Sequence, residues 1–243
     1  MGEPLWNTVR LAGDGAVLLE FGTTVDPAVN RRVHQVAQAV QRAAIEGVWG
    51  VVPAYATLLV EFDAHETAAE KVVEQILDLS IADSEDSGRC FEIPVCYGGP
   101  HGPDLEQVAN TLQMSCDAVI AQHTATPYLI YCLGFSPGFP LCGVLPENLR
   151  IPRHSSPRTA VPAGSVAIAG SQTGIYPIQS PGGWNLIGRT PVRLFRLHDD
   201  PLVPYRPGDF LQFQAVDQKQ FDELSKAVAA GQEILREVSC DAG

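Results

Sequence analysis

Most of the 19 prolines of this 243-residue chain fall between residues 127 and 207, interleaved with glycines. Proline lacks a backbone N–H and fixes φ, so it breaks helices and is barred from the middle of a sheet ladder. That stretch can therefore hold neither a long helix nor a long strand. What survives between the prolines is a set of short apolar runs: 128–133, 165–169, 175–178, 185–187, 192–197 and 210–213. Several short strands separated by turn signals predict a closed or sandwiched β domain. A helical pattern over 217–230, with Phe221, Leu224 and Val228 on one side, ends the domain at Gly231.

The preceding half has a different rhythm. Residues 16–21, 48–52, 57–62 and 90–96 read as strands. Residues 27–44, opened by Asp26-Pro27, and 66–79 read as helices with apolar positions three and four apart. The order β-α-β-β-α-β predicts a ferredoxin-like split βαβ domain over 1–98. Gly98-Gly99-Pro100-His101-Gly102-Pro103 is rich in turn signals. It begins a helical linker over 99–126, with Asp104 as the cap of one short helix and Ser115 as the cap of another that ends near His123. Residues 127–243 form the β domain with its closing helix, so the fold class is α+β.

The net charge of −12 argues against nucleic acid or anionic membranes as partners. No apolar run is long enough for a membrane span, and the first residues do not resemble a secretory leader. The six cysteines, at 90, 96, 116, 132, 142 and 240, form no C-x-x-C and match no zinc pattern. They are expected to be reduced thiols in a cytoplasmic protein, with Cys142 packed rather than reactive. The six histidines show no metal-ligand spacing, so no metal site is expected. There is no phosphate-binding P-loop and no complete dinucleotide fingerprint. Gly134-Phe135-Ser136-Pro137-Gly138 fits the pattern of a hydrolase nucleophile elbow, but the residue after the serine must give an N–H to the oxyanion hole. Pro137 has none. Ser136 is read as a loop residue, and the prolines around it as a bracket for Phe135 and Phe139.

The charge distribution is more informative than its sum. Residues 148–197 contain six arginines (150, 153, 158, 189, 193 and 196), no lysine and no acid. Arginine binds carboxylates and phosphates bidentately, so this stretch predicts an anion site. The competing reading is that these arginines pair with acids elsewhere in the chain.

Between residues 131 and 191 the segments "GFSPGFP", "PRHSSPR", "PAGSVAIAG" and "QTGIYPIQSPGGWNLIGRTP" resemble the family of the 5-oxoprolinase B subunit, also called allophanate hydrolase subunit 1. That family includes sporulation-kinase inhibitors and a segment of urea carboxylases. "GDGAVLLEFG", "VVPAYATLLVEFD", "IPVCYGG", "GPDLEQVA" and "PGDFLQF" extend the likeness over nearly the whole chain. Leu141-Cys142 departs from it where relatives often carry Tyr-Leu. The resemblance implies a cyclophilin-like C-terminal β-barrel and one component of an ATP-dependent 5-oxoprolinase, which converts 5-oxo-L-proline to L-glutamate. It also implies two partners, the 5-oxoprolinase C subunit, itself cyclophilin-like, and the A subunit, with ATP bound by the assembly. On that reading Arg158, Arg189 and His123 are candidate catalytic residues. Phe135, Phe139, Arg153, Gln172, Thr173, Tyr176 and Trp184 are candidate substrate-binding residues. The alternative it carries is a binding module that inhibits a sensor histidine kinase through the cyclophilin-like cleft.

Overall fold

The computed structural model describes residues 5–81 and 88–239. The chain divides into two compact units, Met1–Asp86 and Ser87–Gly243.

In the first unit, β1 (Thr8–Leu11), β2 (Ala16–Glu20), β3 (Val48–Pro53) and β4 (Thr57–Phe62) form one antiparallel sheet in the order β1-β2-β4-β3. Helix α1 (Pro27–Ala43) connects β2 to β3, with β4 lying between those two strands. The carboxylate of Asp26 caps α1 by accepting from the N–H groups of Ala28 and Val29. Val33, Val36 and Val40 of α1 then meet Val17, Leu19, Leu58 and Val60 of the sheet. Helix α2 (Ala69–Leu77) adds Val72 and Ile76 to the same core. Strand alternation accounts for the pattern: Leu58, Val60 and Phe62 are buried, while Thr57, Leu59 and Glu61 between them are only partly so.

The expected fourth strand of this sheet is not here. Its place beside β2 is taken by β1, a strand the sequence reading lacked because all four of its residues are exposed and give no apolar alternation. The predicted segment, β5 (Cys90–Tyr97), belongs to the second unit, so the compact unit stops before residue 90 rather than at 98. Six of the eight residues of β5 are buried, without the alternation of a one-sided strand. That is the signature of a strand covered on both faces.

The second unit is a closed barrel. Strand β6 spans Tyr128–Leu133, β7 Pro140–Gly143, β8 Arg158–Val161, β9 Ser165–Ala169 and β10 Gln172–Ile175. Strand β11 spans Ser180–Gly182, β12 Asn185–Arg189, β13 Phe210–Ala215 and β14 Arg236–Val238. The order β12-β9-β10-β7-β6-β13-β5 closes on itself through Gly188↔Tyr97 and Arg189↔Cys96. Closure removes the exposed edges that an open sheet of such short strands would present. Strand β14 continues the β5 edge beyond the β12 pairing, and β8 with β11 forms a separate two-stranded ribbon. Helices α3 (Leu105–Thr111) and α4 (Cys116–Thr124) bring Leu105, Val108 and Val119 to the barrel core, and α5 (Gln218–Ala229) follows β13. The expected strand over 192–197 is irregular backbone, and the one over 175–178 begins earlier as β10. Pro191 at the start of the first segment and Pro177 inside the second remove ladder donors.

Among the described cysteines, Cys96, Cys116, Cys132 and Cys142 are free, whereas Cys90 is in a disulfide, so the expectation of six reduced thiols fails at Cys90. Cys142 is fully buried in the barrel core, and burial pushes its thiol well up, which leaves it unreactive. No described helix is long and apolar enough to cross a membrane.

Candidate functional site

Six of the ten predicted site residues gather on one flank of the barrel. Strand β9 presents Val166 and Ile168 to the barrel interior, and Ala167 and Ala169 to a second small core outside it. Phe139, Tyr176, Trp184, Leu186 and Val161 complete that second core. Phe139 is central: its ring lies 5.0 Å from Tyr176 and 5.6 Å from Trp184, both edge-on at 84°. Such T-shaped contacts are favoured by the ring quadrupoles. Two glycines make room for the stack. A Cβ on Gly174 would lie 2.7 Å from the Phe139 ring, and one on Gly182 would lie against the Tyr176 hydroxyl.

Phe139, Tyr176 and Trp184 are nevertheless almost fully buried, so they form the floor of the site and not its open wall. The exposed aromatic is Phe135, with 67% of its surface accessible. It meets Phe139 at 5.5 Å and Tyr176 at 6.2 Å. Its φ is +69°, a region that bulky residues avoid. The loop around it is closed by its own backbone bonds, Gly134 N–H to Phe139 O and Phe139 N–H to Ser136 O. Tyr205 anchors that loop by donating its hydroxyl to Gly138 O at 2.6 Å. The Ser136 hydroxyl oxygen is buried with no hydrogen-bond partner among the described residues, so no base there activates it.

A charged group borders this aromatic floor. Asp104 is buried, yet its carboxylate does not cap α3. One oxygen accepts from Arg158 Nη2 at 2.6 Å, while the other accepts the Leu186 N–H at 2.7 Å and lies 3.3 Å from His154 Nε2. The expected capping role is lost because an ion pair and a buried amide compete with the α3 terminus for the same two oxygens, and the charge-assisted bond to Arg158 is the stronger claim. Arg158 has a second nitrogen, Nη1, that is buried and makes no hydrogen bond. Buried donors are normally satisfied. Arg153 is exposed and sits over the Trp184 ring at 5.8 Å, in cation–π range. Burial raises the Tyr176 pKa, and a hydrogen bond with the Trp184 backbone, followed by the charges of Arg153 and Arg158, pulls it partly back. The group thus holds two guanidinium groups against one carboxylate, an excess of positive charge beside an aromatic surface.

The other four candidates lie elsewhere. His123, on α4, is fully buried and links two hydroxyls: its Nδ1 is 2.7 Å from Tyr97 Oη and its Nε2 is 2.8 Å from Thr173 Oγ1. Thr173 in turn donates to Ala167 O at 3.2 Å, so its oxygen accepts from His123 Nε2–H, and Nδ1 accepts from Tyr97. Burial lowers the His123 pKa to about 3, so the ring is neutral. Gln172 is half-buried on the face of β10 opposite Thr173. Arg189 ends β12 and donates its Nε to Ala163 O at 2.9 Å. Asp104 and His154 belong to the Arg158 cluster, and the sequence reading did not select either as a candidate. The hint was available in Asp104, a single acid after a run of glycines and prolines. A helix start explained it equally well.

Among the described residues, no group of three or more His, Cys, Asp or Glu could hold a metal ion.

Residues 7–205 match the family model for the carboxyltransferase domain, subdomain C and D. The chain is 41% identical over 226 residues to the 5-oxoprolinase B subunit of Bacillus subtilis, covering 88% of this chain and 94% of that one. It is 40% identical over 213 residues to the 5-oxoprolinase B subunit of Escherichia coli O157:H7, covering 86% and 95%. The solved structure of TTHA0988 is similar with a TM-score of 0.76 at 40% identity, over 86% of this chain and 41% of that longer one. The chain belongs to the carboxyltransferase subdomain C and D family and groups within it with the 5-oxoprolinase B subunits.

Proposed function

We propose that this protein is the B subunit of a cytoplasmic, ATP-dependent 5-oxoprolinase that works with the A and C subunits to convert 5-oxo-L-proline to L-glutamate. The observation that carries this reading is the 40–41% identity to two B subunits over nearly their whole length. The geometry supports it. 5-Oxoproline is a small planar lactam with a carboxylate. An aromatic surface matches its ring, and paired guanidinium groups match its charge. In this reading Phe135 covers the ring, Arg153 takes the carboxylate, and the free Nη1 of Arg158 takes a second oxygen of the substrate. Asp104 and His154 hold Arg158 in place. The lactam amide is resonance-stabilised, so opening it benefits from transfer of the ATP γ-phosphoryl group to the amide oxygen. Water then adds at that carbon, the ring C–N bond breaks with the nitrogen leaving as the amine, and the resulting γ-glutamyl phosphate is hydrolysed by a second water to the carboxylate and phosphate. Cations beside the site favour the charge that develops.

The test is reconstitution. The chain is co-purified with the A and C subunits, and glutamate release from 5-oxoproline is measured with and without ATP. The expected result is ATP-dependent glutamate that disappears when this chain is omitted. A folded three-component mixture that makes no glutamate would overturn the reading.

A further inference from the structure

Arg189 and Arg193 stand apart from the aromatic site. The acid-free stretch they belong to finds acids for three of its other four arginines, Arg150 with Glu147, Arg158 with Asp104 and Arg196 with Glu233, and the fourth, Arg153, lies over the Trp184 ring. No carboxylate among the described residues pairs with Arg189 or Arg193. In a chain with 28 acidic residues and a charge of −12, two neighbouring unpaired guanidinium groups call for an explanation.

Both line a cavity of about 360 Å³ between the end of β12 and helix α5. Phe221, Ser225 and Val228, at helical spacing, put one face of α5 on it, and Phe195 walls it from the opposite segment. None of its lining residues is acidic. The Nε bond to Ala163 O fixes the Arg189 side chain, and its Nη groups have no partner among the described residues. A neighbouring groove of about 490 Å³ shares Arg193, Phe195 and Val228, but Asp199 and Glu233 lie on it and Glu233 ties up Arg196. The larger groove sets two arginines against two acids, whereas the smaller one combines uncompensated positive charge with apolar walls.

We propose that the smaller cavity is a second binding site, for an oxyanion (carboxylate or phosphate) carried on a compact apolar body. The arginine forks take the oxyanion and the Ser225 hydroxyl adds a donor; Phe195, Phe221 and Val228 cover the body. The inference does not rest on the 5-oxoprolinase reading: of the residues the sequence offers for that reaction it uses only Arg189, which lies outside the aromatic cluster proposed for the lactam.

The experiment is titration calorimetry on the intact chain at low salt, with phenyl phosphate, benzoate and inorganic phosphate as probes. The expected result is saturable one-to-one binding of phenyl phosphate or benzoate, with inorganic phosphate about tenfold weaker or worse for want of an apolar body. Arg193→Gln, at an exposed position where folding is not at risk, weakens the aromatic anion about tenfold. Arg153→Gln, at the other site, and Arg150→Gln, at an ion-paired surface position, leave it unchanged. The proposal is overturned by any of three results: no saturable binding of either aromatic anion, inorganic phosphate binding as tightly as phenyl phosphate, or affinity that follows Arg153 instead of Arg193.

Discussion

Two polar networks in the second unit look alike in the sequence and are opposite in kind. Inside the barrel, Tyr97, His123, Thr173 and the Ala167 carbonyl form a chain in which each ring nitrogen and the Thr173 hydroxyl have a partner. The chain is sealed, and its histidine is neutral. On the flank, Asp104, Arg158, His154 and Arg153 leave one buried guanidinium nitrogen unsatisfied and one arginine exposed over an indole. A completed network has nothing left to offer a ligand and serves the fold. An incomplete one, next to an exposed aromatic held at positive φ, keeps both donors and strain in reserve. Burial alone does not separate the two, since Asp104 is nearly as buried as His123. Unused hydrogen-bonding capacity does.

The comparison breaks first at Asp104. Its removal strips a buried N–H of its acceptor and leaves Arg158 without its counter-charge. Asp104→Ala should lower unfolding free energy by about 3 kcal/mol, moderated because Arg158 is partly solvated. Chemical denaturation measures it. A loss within the noise would mean that the flank network does not hold the site together. The interior chain should answer to pH instead. The His123 pKa falls from 6.5 in the free state to about 3 when folded, so the unfolded chain takes up a proton that the folded one refuses. The stability from neutral His123 is therefore complete above about pH 6.5 and is lost as pH drops toward 3. Between pH 7 and pH 5 that loss is about 2 kcal/mol. His123→Gln, less stable at pH 7, should lack this part of the acid sensitivity. Parallel pH profiles for the two proteins would show that the histidine is already charged in the native state.

How far the sequence could be read follows from the same physics. The barrel was legible because prolines and glycines leave few alternatives to short strands. The gathering of Phe135, Phe139, Tyr176, Trp184, Arg153 and Arg158 was legible as a dense block of costly residues. The sequence could not divide the aromatics into floor and rim, because that depends on Gly174 and Gly182 admitting the rings of Phe139 and Tyr176 from across the fold. Nor could it tell that β5 leaves the first unit, since its partners β13 and β12 lie about a hundred residues downstream. Asp104 was misread for a related reason: a local capping site and a distant guanidinium compete for one carboxylate, and only the local claimant shows in sequence. Thr173 and Gln172 are neighbours in sequence but point to opposite faces of β10.

Within the flank itself the division into floor and rim makes a smaller prediction. Phe135→Asn places in the left-handed region a residue that tolerates it, while giving up edge contacts of an exposed ring. The two terms oppose each other, and stability should move by no more than about 1 kcal/mol. If Phe135 covers the lactam, KM for 5-oxoproline in the reconstituted enzyme rises while the melting temperature barely moves. The reverse pattern would return Phe135 to the core.

The last and smallest effect on the fold is that of Arg153. It is exposed and packs over the Trp184 ring, so Arg153→Gln should cost about 0.5 kcal/mol of stability. If Arg153 takes the substrate carboxylate, its effect on binding should be far larger, because a charge-assisted bond is worth more than an exposed ring contact. An approximately tenfold rise in KM at unchanged kcat is expected if Arg153 acts only in binding. A fall in kcat at unchanged KM would move Arg153 from holding the carboxylate to stabilising the reacting oxygen. That would pass the carboxylate to Arg158, whose idle Nη1 is the other donor within the flank network.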